Sequence, residues 1–326
     1  MSSGRNTMIR TLAAAALMAV AVSANAQPYP ARPVSLVVPF AAGGPSDVHM
    51  RNLAVAMGRQ LKQTVLVENV PGGGSNIGPA RVAKAAPDGY TLLNHNLGLA
   101  TAPTLYGKLE YNALTDFDYI GVIVFESSVV IARGDLPAAG FKEFLGYLKA
   151  NQNKLTIGDG GGPSTLSALL LMAATGTRLT LVQYKGTAQA MNDLIAGHID
   201  LLSNAATIAA PHIRAGKVKA IGVTGRSRVS TLPDVPTMEE QGLSGFEMVV
   251  FQALYAPKGL PKPVHERLVA ALQGALADPQ LVAYFQKVGA QIATREQATP
   301  AALQALLKSE MDKWGPMLKR AGVTAK

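Results

Sequence analysis

Residues 34–49 read VSLVVPF, then AAGGPSD, then VH, and this stretch decides the fold. Residues 34–40 are a short apolar run rich in β-branched side chains, which is typical of a buried strand. The two glycines that follow predict a tight turn, because a residue without a Cβ lets the backbone come close to a ligand. Ser46 and Asp47 are preferred N-cap residues, so we expect them to begin a helix over residues 48–61.

A strand that passes through glycines into a helix leaves several backbone N–H groups free at the positive end of the helix dipole. Such an arrangement binds small anions without a charged side chain. We therefore predict that residues 40–47, the first glycine loop, bind a carboxylate. The pattern recurs in the second glycine loop, residues 71–78 (PGGGSNIG), and in the third, residues 158–165 (GDGGGPST). One such turn is only a tight connection, whereas three favour a binding site.

The first 26 residues predict a secretory signal peptide. Arg5 and Arg10 flank the start of an apolar run over residues 12–22, and the sequence ANA at residues 24–26 has the small-x-small form of a cleavage site. We expect cleavage near Ala26 and export to the periplasm, with an uncleaved membrane anchor as the alternative. The run is too short for a mature transmembrane helix, which needs about 20 apolar residues.

Composition excludes several classes of function. The chain of 326 residues has no cysteine, which excludes thiolate catalysis, zinc–thiolate sites and iron–sulfur clusters. Its formal net charge of +9 is spread along the sequence without a lysine or arginine run, so we expect no nucleic-acid partner. The five histidines are scattered and show no metal-ligand spacing. We predict neither a metal site nor a cofactor.

Strands that alternate with helices predict an α/β protein with mostly parallel sheets. Because the carboxyl ends of parallel strands meet at one edge of a sheet, ligand groups collect there. Residues 119–133 form a longer apolar run, and residues 249–255 are predicted as a strand pair or as one bent strand. After Pro257 the sequence is helical and amphipathic, and we interpret this part as structural. The remaining predicted strands are residues 65–67, 90–93, 154–157, 179–182, 199–203 and 218–223.

Polar residues at predicted strand ends extend the candidate site. Asn94 and His95 follow the third strand, and Asn204 follows a later one. Tyr184 and Lys185 also follow a strand and are candidates for an opposing wall. A lysine at a turn is equally consistent with a solvated surface position.

Catalytic motifs are weak. The chain lacks the G-x-x-x-x-G-K-[ST] pattern, and residues 158–162 do not fit G-x-G-x-x-G. Ser46 with His49, or Ser75 with His95, offers a nucleophile and a base. However, no G-x-S-x-G elbow occurs, and both serines are explained better as helix caps or hydrogen-bond donors. We therefore expect a protein that is not an enzyme, with hydrolysis as a minor alternative.

Several short segments, taken in order, resemble the Bug-type receptors, which are the extracytoplasmic solute-binding proteins of tripartite tricarboxylate transporters. The resemblance covers essentially all of the chain after the predicted signal peptide. The segments that carry it are residues 29–47, PGGG at 71–74, PDGYTLL at 87–93, YKG at 184–186, LPDVPT at 232–237, AP at 256–257 and KW at 313–314.

This resemblance implies two α/β lobes of the type II-like periplasmic binding protein fold, joined by two crossing strands and closing on a ligand. The first lobe would comprise residues 27–125 and 247–326, and the second lobe residues 126–246. The crossings would lie near Phe125 and Phe251. The resemblance also implies that the first two glycine loops hold a carboxylate through backbone N–H groups and ordered waters.

Three departures from the family pattern concern the ligand. Leu166 follows Ser164 and Thr165 where the family usually has a histidine. Asn204 stands where an aspartate is frequent, and Phe251 stands where a tryptophan is frequent. Because a neutral Asn204 removes a partner for a ligand amine, we expect an organic acid rather than an amino acid.

We therefore predict a periplasmic solute-binding protein that captures a di- or tricarboxylate, or an aromatic acid, for a tripartite tricarboxylate transporter. The expected partners are this small organic acid and the membrane subunits of the transporter, and we expect a monomer. The alternative is a sensory receptor that presents the same ligand to a membrane signalling protein. The predicted ligand-binding residues are Phe40, Ala41, Ala42, Gly43, Gly44, Asp47, Gly73, Gly74, Ser75, Asn76, Asn94, His95, Gly160, Ser164, Thr165, Tyr184, Lys185, Asn204 and Phe251.

Overall fold

The structure is a computed structural model that describes residues 29–138 and 140–320. The predicted signal peptide lies outside these residues. The backbone divides into two units, Met1–Ala31 and Arg32–Lys326. Every helix and strand below belongs to the second unit.

Ten strands and ten α-helices alternate through the described part of the chain, with one short 3₁₀ turn at Gly73–Ser75. The strands are β1 (Val34–Val38), β2 (Val65–Asn69), β3 (Thr91–Asn96), β4 (Phe117–Arg133), β5 (Thr156–Asp159), β6 (Thr180–Gln183), β7 (Leu201–Ala205), β8 (Val218–Val223), β9 (Val249–Pro257) and β10 (Gln291–Ile292). The helices are α1 (Pro45–Leu61), α2 (Ile77–Ala83), α3 (Gly98–Leu105), α4 (Phe141–Ala150), α5 (Pro163–Thr175), α6 (Thr187–Ile195), α7 (Ala206–Arg214), α8 (Lys262–Leu276), α9 (Pro279–Val288) and α10 (Pro300–Arg320).

The strands form two sheet regions. In the first, the order is β2-β1-β3-β9-β4, with β1 parallel to both β2 and β3, and β9 antiparallel to β3 and β4. In the second, the order is β4-β7-β5-β6, with β5 parallel to β6 and β7. Strands β8 and β10 pair with β4 outside these paths. The predicted parallel α/β pattern is confirmed, with the long β4 and β9 as antiparallel additions.

Strand β4 belongs to both sheet regions. Its residues up to Ser127 pair with β9, and from Ser128 onward they pair with β7 and β8. Strand β9 is one continuous strand, so of the two alternatives for residues 249–255 the single strand is correct. Phe125 and Phe251 are paired partners in the register of β4 and β9. The chain therefore has the two-lobed α/β architecture with two crossing strands, while the residue boundaries of the lobes stay a prediction.

The start of α1 differs from the sequence prediction. Gly44 is the N-cap and Pro45 begins the helix, so Ser46 and Asp47 lie in the first turn and the N-cap prediction was wrong. The physical reason is that the fixed φ of proline suits the first helical position, where its missing N–H costs nothing. Two strands also differ from the prediction: β3 is longer and includes Asn94 and His95, and β7 lies two residues later than predicted and includes Asn204.

Apolar side chains fill the space between the sheets and helices. In the second sheet region, Val129, Ile131 and Leu202 are fully buried against Leu194 of α6. Within the described residues no single helix is long and apolar enough to cross a membrane. Only α8 and α9 counted together, which bend by 62°, pass that test by length and composition.

Candidate functional site

A cavity lies where the two sheet regions meet, and both contribute to its wall. Its volume is about 50 Å³, which is room for a few water molecules. The first region and its loops contribute Phe40, Ala41, Gly44, Pro45, Ser46, Asn96, Glu126, Val250 and Gln252. The second contributes Ser128, Gly160, Gly161, Pro163, Ser164, Gly186, Thr187, Ser203, Asn204 and Ala205.

Four helices begin at this cavity. The N-cap residues of α1, α5, α6 and α7 are Gly44, Gly162, Gly186 and Ala205, and none of the four makes a side-chain capping hydrogen bond. Each of these N-cap residues lines the wall itself or adjoins residues that do. Because the first turn of a helix leaves N–H groups without intrahelical partners, converging helix starts create a positive potential. The cavity is therefore built to receive an anion.

The first glycine loop is held in place by Asp47. The Gly43 N–H donates to Asp47 Oδ2 at 2.9 Å, and Asn69 donates to Asp47 Oδ1 at 3.0 Å. Arg51 pairs with the same carboxylate at 2.8 Å. Burial raises the pKa of Asp47, but the hydrogen bonds from Arg51, Gly43 and Asn69 outweigh it and hold the pKa below its usual value. Asp47 thus fixes the shape of the first glycine loop without lining the cavity itself.

The third glycine loop is held by Asp159 at the end of β5. The Gly161 N–H donates to Asp159 Oδ1 at 2.9 Å, and Thr165 Oγ1 donates to the same oxygen. Gln183 Nε2 donates to Asp159 Oδ2 at 2.7 Å. Ser164 lines the cavity, and its hydroxyl accepts a hydrogen bond from the Gly160 N–H at 3.2 Å.

Backbone contacts join the loops across the cavity. The Ala41 N–H donates to the Lys185 carbonyl at 3.3 Å. A Cβ on Gly186 would lie 3.2 Å from Ala41 Cβ, and a Cβ on Gly161 would lie 3.3 Å from the carbonyl carbon of Gly74. Glycines are therefore needed where one loop meets another, as well as where a loop meets the cavity.

The second glycine loop lies beside the cavity and contributes no residue to its wall. Ser75 donates its hydroxyl to the Gly74 carbonyl, and Asn76 Nδ2 donates to the Gly73 carbonyl at 2.8 Å. Tyr111 donates to Asn76 Oδ1 at 2.6 Å. The loop is internally bonded and packs against the third glycine loop, and its role in holding a carboxylate stays a prediction.

Asn94 and His95 lie inside β3 and are almost fully buried. Asn94 Nδ2 donates to the Ala253 carbonyl at 3.2 Å, and His95 Nδ1 accepts from the Asn96 N–H at 2.8 Å. The other ring nitrogen of His95 is 3.3 Å from the Ser75 carbonyl. Burial lowers the pKa of His95 to about 4, so the ring is neutral near pH 7. The histidine ties β3 to the second glycine loop.

Three further predicted residues are engaged elsewhere. Tyr184 donates to Asp193 Oδ2 at 2.6 Å, and burial together with this bond raises the pKa of Tyr184 to about 12. The Lys185 side chain is exposed, and its carbonyl makes the contact with Ala41. Phe251 is buried in β9, while its neighbours Val250 and Gln252 line the cavity, as strand alternation requires.

Of the predicted binding residues, the structure therefore brings six to the cavity wall. They are Phe40, Ala41, Gly44, Gly160, Ser164 and Asn204. The others lie next to the wall or behind it, and their part in binding stays a prediction.

Sequence reasoning missed polar residues on three strands at the cavity. Glu126 and Ser128 on β4, Ser203 on β7 and Gln252 on β9 all line the cavity. Glu126 is a single acid within an apolar run. This position could have marked it as a site residue, because a buried carboxylate needs partners. Their common position depends on strand pairing, which no local pattern of residues shows.

The two serine–histidine pairs considered for hydrolysis do not form. The Ser46 hydroxyl accepts from Gln252 Nε2 at 2.9 Å, while His49 contacts Glu126 and Tyr284. The Ser75 hydroxyl points to the Gly74 carbonyl. Neither serine hydroxyl has the hydrogen bond to a base that nucleophilic catalysis requires.

Comparisons with known proteins agree with this geometry. Residues 49–323 match the family model described as tripartite tricarboxylate transporter family receptor. A UPF0065 protein of Agrobacterium vitis is 42% identical over 296 residues, which are 90% of this chain and 86% of that protein. The solved structure of the periplasmic binding protein BugD is 44% identical, with a TM-score of 0.89 over 91% of this chain and 100% of the other. MatC from Rhodopseudomonas palustris with bound malate is 34% identical, with a TM-score of 0.85 over 88% and 99%.

Proposed function

Because this chain belongs to the tripartite tricarboxylate transporter receptor family, we propose that it captures a small organic carboxylate and delivers it to transporter membrane subunits. The observation that carries the proposal is the convergence on one cavity of three helix starts, those of α1, α5 and α6, that have no side-chain cap. Malate bound to MatC, and the periplasmic binding protein BugD, support the ligand class and the compartment by similarity. We propose that the chain is exported after cleavage near Ala26.

Binding would begin at the helix starts of α1, α5 and α6. The ligand carboxylate would accept hydrogen bonds from backbone N–H groups at these helix starts, near Gly44 and Thr187. The Gly160, Gly161 and Ser164 N–H groups already donate within the third glycine loop. Charge-assisted bonds of this kind are about twice as strong as neutral ones, and burial removes competing water. The wall needs no arginine, because the helix dipoles supply the positive potential.

Closure of two lobes would then enclose the ligand. We propose that residues 27–125 and 247–326 form the first lobe and residues 126–246 the second. The change of pairing partner between Ser127 and Ser128 of β4 supports this division. The backbone bond from Ala41 to Lys185 would form on closure and hold the lobes together.

Isothermal titration and thermal unfolding of the purified protein with a panel of acids test the ligand class. The panel comprises malate, succinate, tricarballylate and benzoate, each compared with its fully amidated form. We expect at least one acid to bind and to raise the melting temperature, with no response to the matched amide. A folded protein that responds to none of the acids would refute the proposed function.

Uptake measurements test the delivery step. Cells that carry the transporter membrane subunits, with or without this chain, are supplied with the labelled acid identified by titration. We expect uptake only when the chain is present. Equal uptake without it would separate carboxylate binding, which would stand, from delivery, which would not.

A further inference from the structure

The helix starts at the cavity differ in whether an acid of the protein compensates them. Helices α1, α5 and α6 begin without any side-chain cap. The start of α7, by contrast, already has an acid beside it: Glu126 Oε1 accepts from the Thr207 N–H at 2.8 Å and from the Thr207 hydroxyl. The positive potential of α7 is therefore compensated by the protein itself.

Glu126 is fixed and charged. The residue is only 4% exposed, and its Oε2 lies 2.9 Å from His49 Nε2. The other ring nitrogen of His49 lies 2.8 Å from the Tyr284 hydroxyl, so both sides of the imidazole are used. Burial raises the pKa of Glu126, but the interactions with His49 and Thr207 outweigh it and hold the pKa below its usual value.

Two polar atoms of β7, just before the start of α7, have no hydrogen-bond partner in the described part of the chain. They are Ser203 Oγ and Asn204 Nδ2, on residues that are 3% and 2% exposed. The Asn204 Oδ1 atom accepts from the Ala205 N–H at 2.9 Å, which leaves the amide nitrogen as the free group. A buried donor without a partner is costly, so a ligand atom that accepts from Nδ2 would stabilise the complex.

We propose that Glu126 and Asn204 together select a ligand with one carboxylate and an uncharged hydrogen-bond acceptor at its other end. A second carboxylate would meet the charge of Glu126 in a buried site where salt screens little. An ammonium group would leave Asn204 Nδ2 unsatisfied, since it has no lone pair. Hydroxyl, carbonyl and carboxamide groups satisfy both conditions.

This inference rests on the proposed function and narrows its ligand class. It also distinguishes this chain from MatC, whose bound ligand malate carries two carboxylates. The selection acts at the wall formed by β4 and β7, whereas the first carboxylate is held at the starts of α1, α5 and α6.

Matched pairs of acids test the selection by isothermal titration near pH 7. The pairs are malonate with malonamate, succinate with succinamate, and glutarate with glutaramate, which differ only in carboxylate against carboxamide. For the chain length that binds best, we expect the half-amide to bind at least tenfold more tightly than the diacid. In Glu126→Gln we expect that ratio to fall to within about threefold, mainly because the diacid binds better.

Two further variants complete the experiment. Glu110→Gln makes the same chemical change at an exposed residue and should leave the ratio unchanged. Asn204→Asp keeps an oxygen for the Ala205 N–H and adds a charge at the wall formed by β4 and β7, so it should raise the ratio at least tenfold. This variant keeps the test decisive if Glu126→Gln does not fold.

The outcomes separate the two proposals. Binding of acids with the diacid equal to or tighter than the half-amide would overturn the selection and leave the carboxylate function standing. A half-amide preference that persists in Glu126→Gln would overturn the role of Glu126. No binding of any acid by the folded wild-type protein would refute the proposed function and this inference together.

Discussion

The first and third glycine loops have the same local structure, but the aspartate of each loop is stabilised by different partners. In each, a strand leads through glycines to a helix that begins with proline, and an aspartate accepts a glycine N–H at 2.9 Å. Asp47 is paired with the cation of Arg51. Asp159 is bound by the neutral donors Gly161, Thr165 and Gln183.

This difference indicates two kinds of rigidity. The first loop is fixed by an ion pair within α1, because Arg51 lies one helical turn beyond Asp47. The third loop is fixed by short-range neutral bonds, and its Gly161 also approaches the backbone of Gly74. We infer that the first loop keeps its shape whether the lobes are open or closed. Closure of the lobes depends instead on the shape of the third loop.

The largest expected effect on ligand affinity comes from Gly161→Ala. A side chain at φ +84° costs about 1–2 kcal/mol of stability. The new Cβ would also crowd Gly74, so we expect a tenfold to hundredfold loss in ligand affinity, which is about 1.4–2.8 kcal/mol. Titration with the best-binding acid, together with urea unfolding, measures the two effects separately.

Gly43→Ala is the matched control for that substitution. Its φ is +81°, so the strain is similar, but a Cβ there would meet Ala188 at an ordinary 3.8 Å. We expect a similar loss of stability and an affinity within about threefold of wild type. Equal losses of affinity in both variants would contradict the distinction between the loops.

A pH effect of about 3 kcal/mol should follow from His95, since its pKa falls from 6.5 to about 4 on folding. Because the folded pKa is the lower one, the unfolded chain binds the extra proton. The stabilisation is complete above pH 6.5 and is lost as the pH falls towards about 4. Free energies of unfolding from urea titrations across this range should drop more steeply in wild type than in His95→Gln.

The loop comparison makes this prediction specific to the second glycine loop and β3. The third glycine loop is followed by Leu166 and contains no histidine. If wild type and His95→Gln have parallel pH profiles, His95 is not the buried neutral group that ties the second glycine loop to β3.

The comparison also shows what the sequence could predict. Alternating apolar runs and glycine turns located the strands well, and β8 lies at the predicted residues. The glycine signal itself was ambiguous. A residue without a Cβ is needed equally where the backbone meets a ligand and where it meets another backbone, as at Gly74 and Gly161.

The missed part of the site has a different cause. Glu126 lies in an apolar run, and its partner His49 is 77 residues away. Likewise, the convergence of helix starts is a tertiary feature, because each of them looks like an ordinary helix start by itself. Local periodicity predicts helices and strands. The set of polar side chains that β4, β7 and β9 bring to the cavity depends on how these strands are paired.

A smaller effect of about 2 kcal/mol is expected from Asp47→Asn, which removes the charge that Gly43, Asn69 and Arg51 share. Because the folded pKa of Asp47 is depressed, its stabilisation is present above the ordinary pKa of 3.8 and is lost as the pH falls through the folded value. The difference from wild type in urea unfolding should therefore shrink at acid pH. Arg51→Gln should cost less than about 1 kcal/mol, since that side chain is half exposed.

An effect smaller than that of Asp47→Asn should come from Thr165→Val, which removes the hydroxyl that donates to Asp159. One neutral bond in a network of three is worth about 1 kcal/mol, so we expect a modest loss of stability and a loss of affinity of about fivefold or less. Thr165→Ser keeps the hydroxyl and should behave as wild type in both measurements. If Thr165→Val proves costlier than Asp47→Asn, the neutral bonds of the third loop outweigh the ion pair of the first, and the order of rigidity inferred for the two loops is reversed.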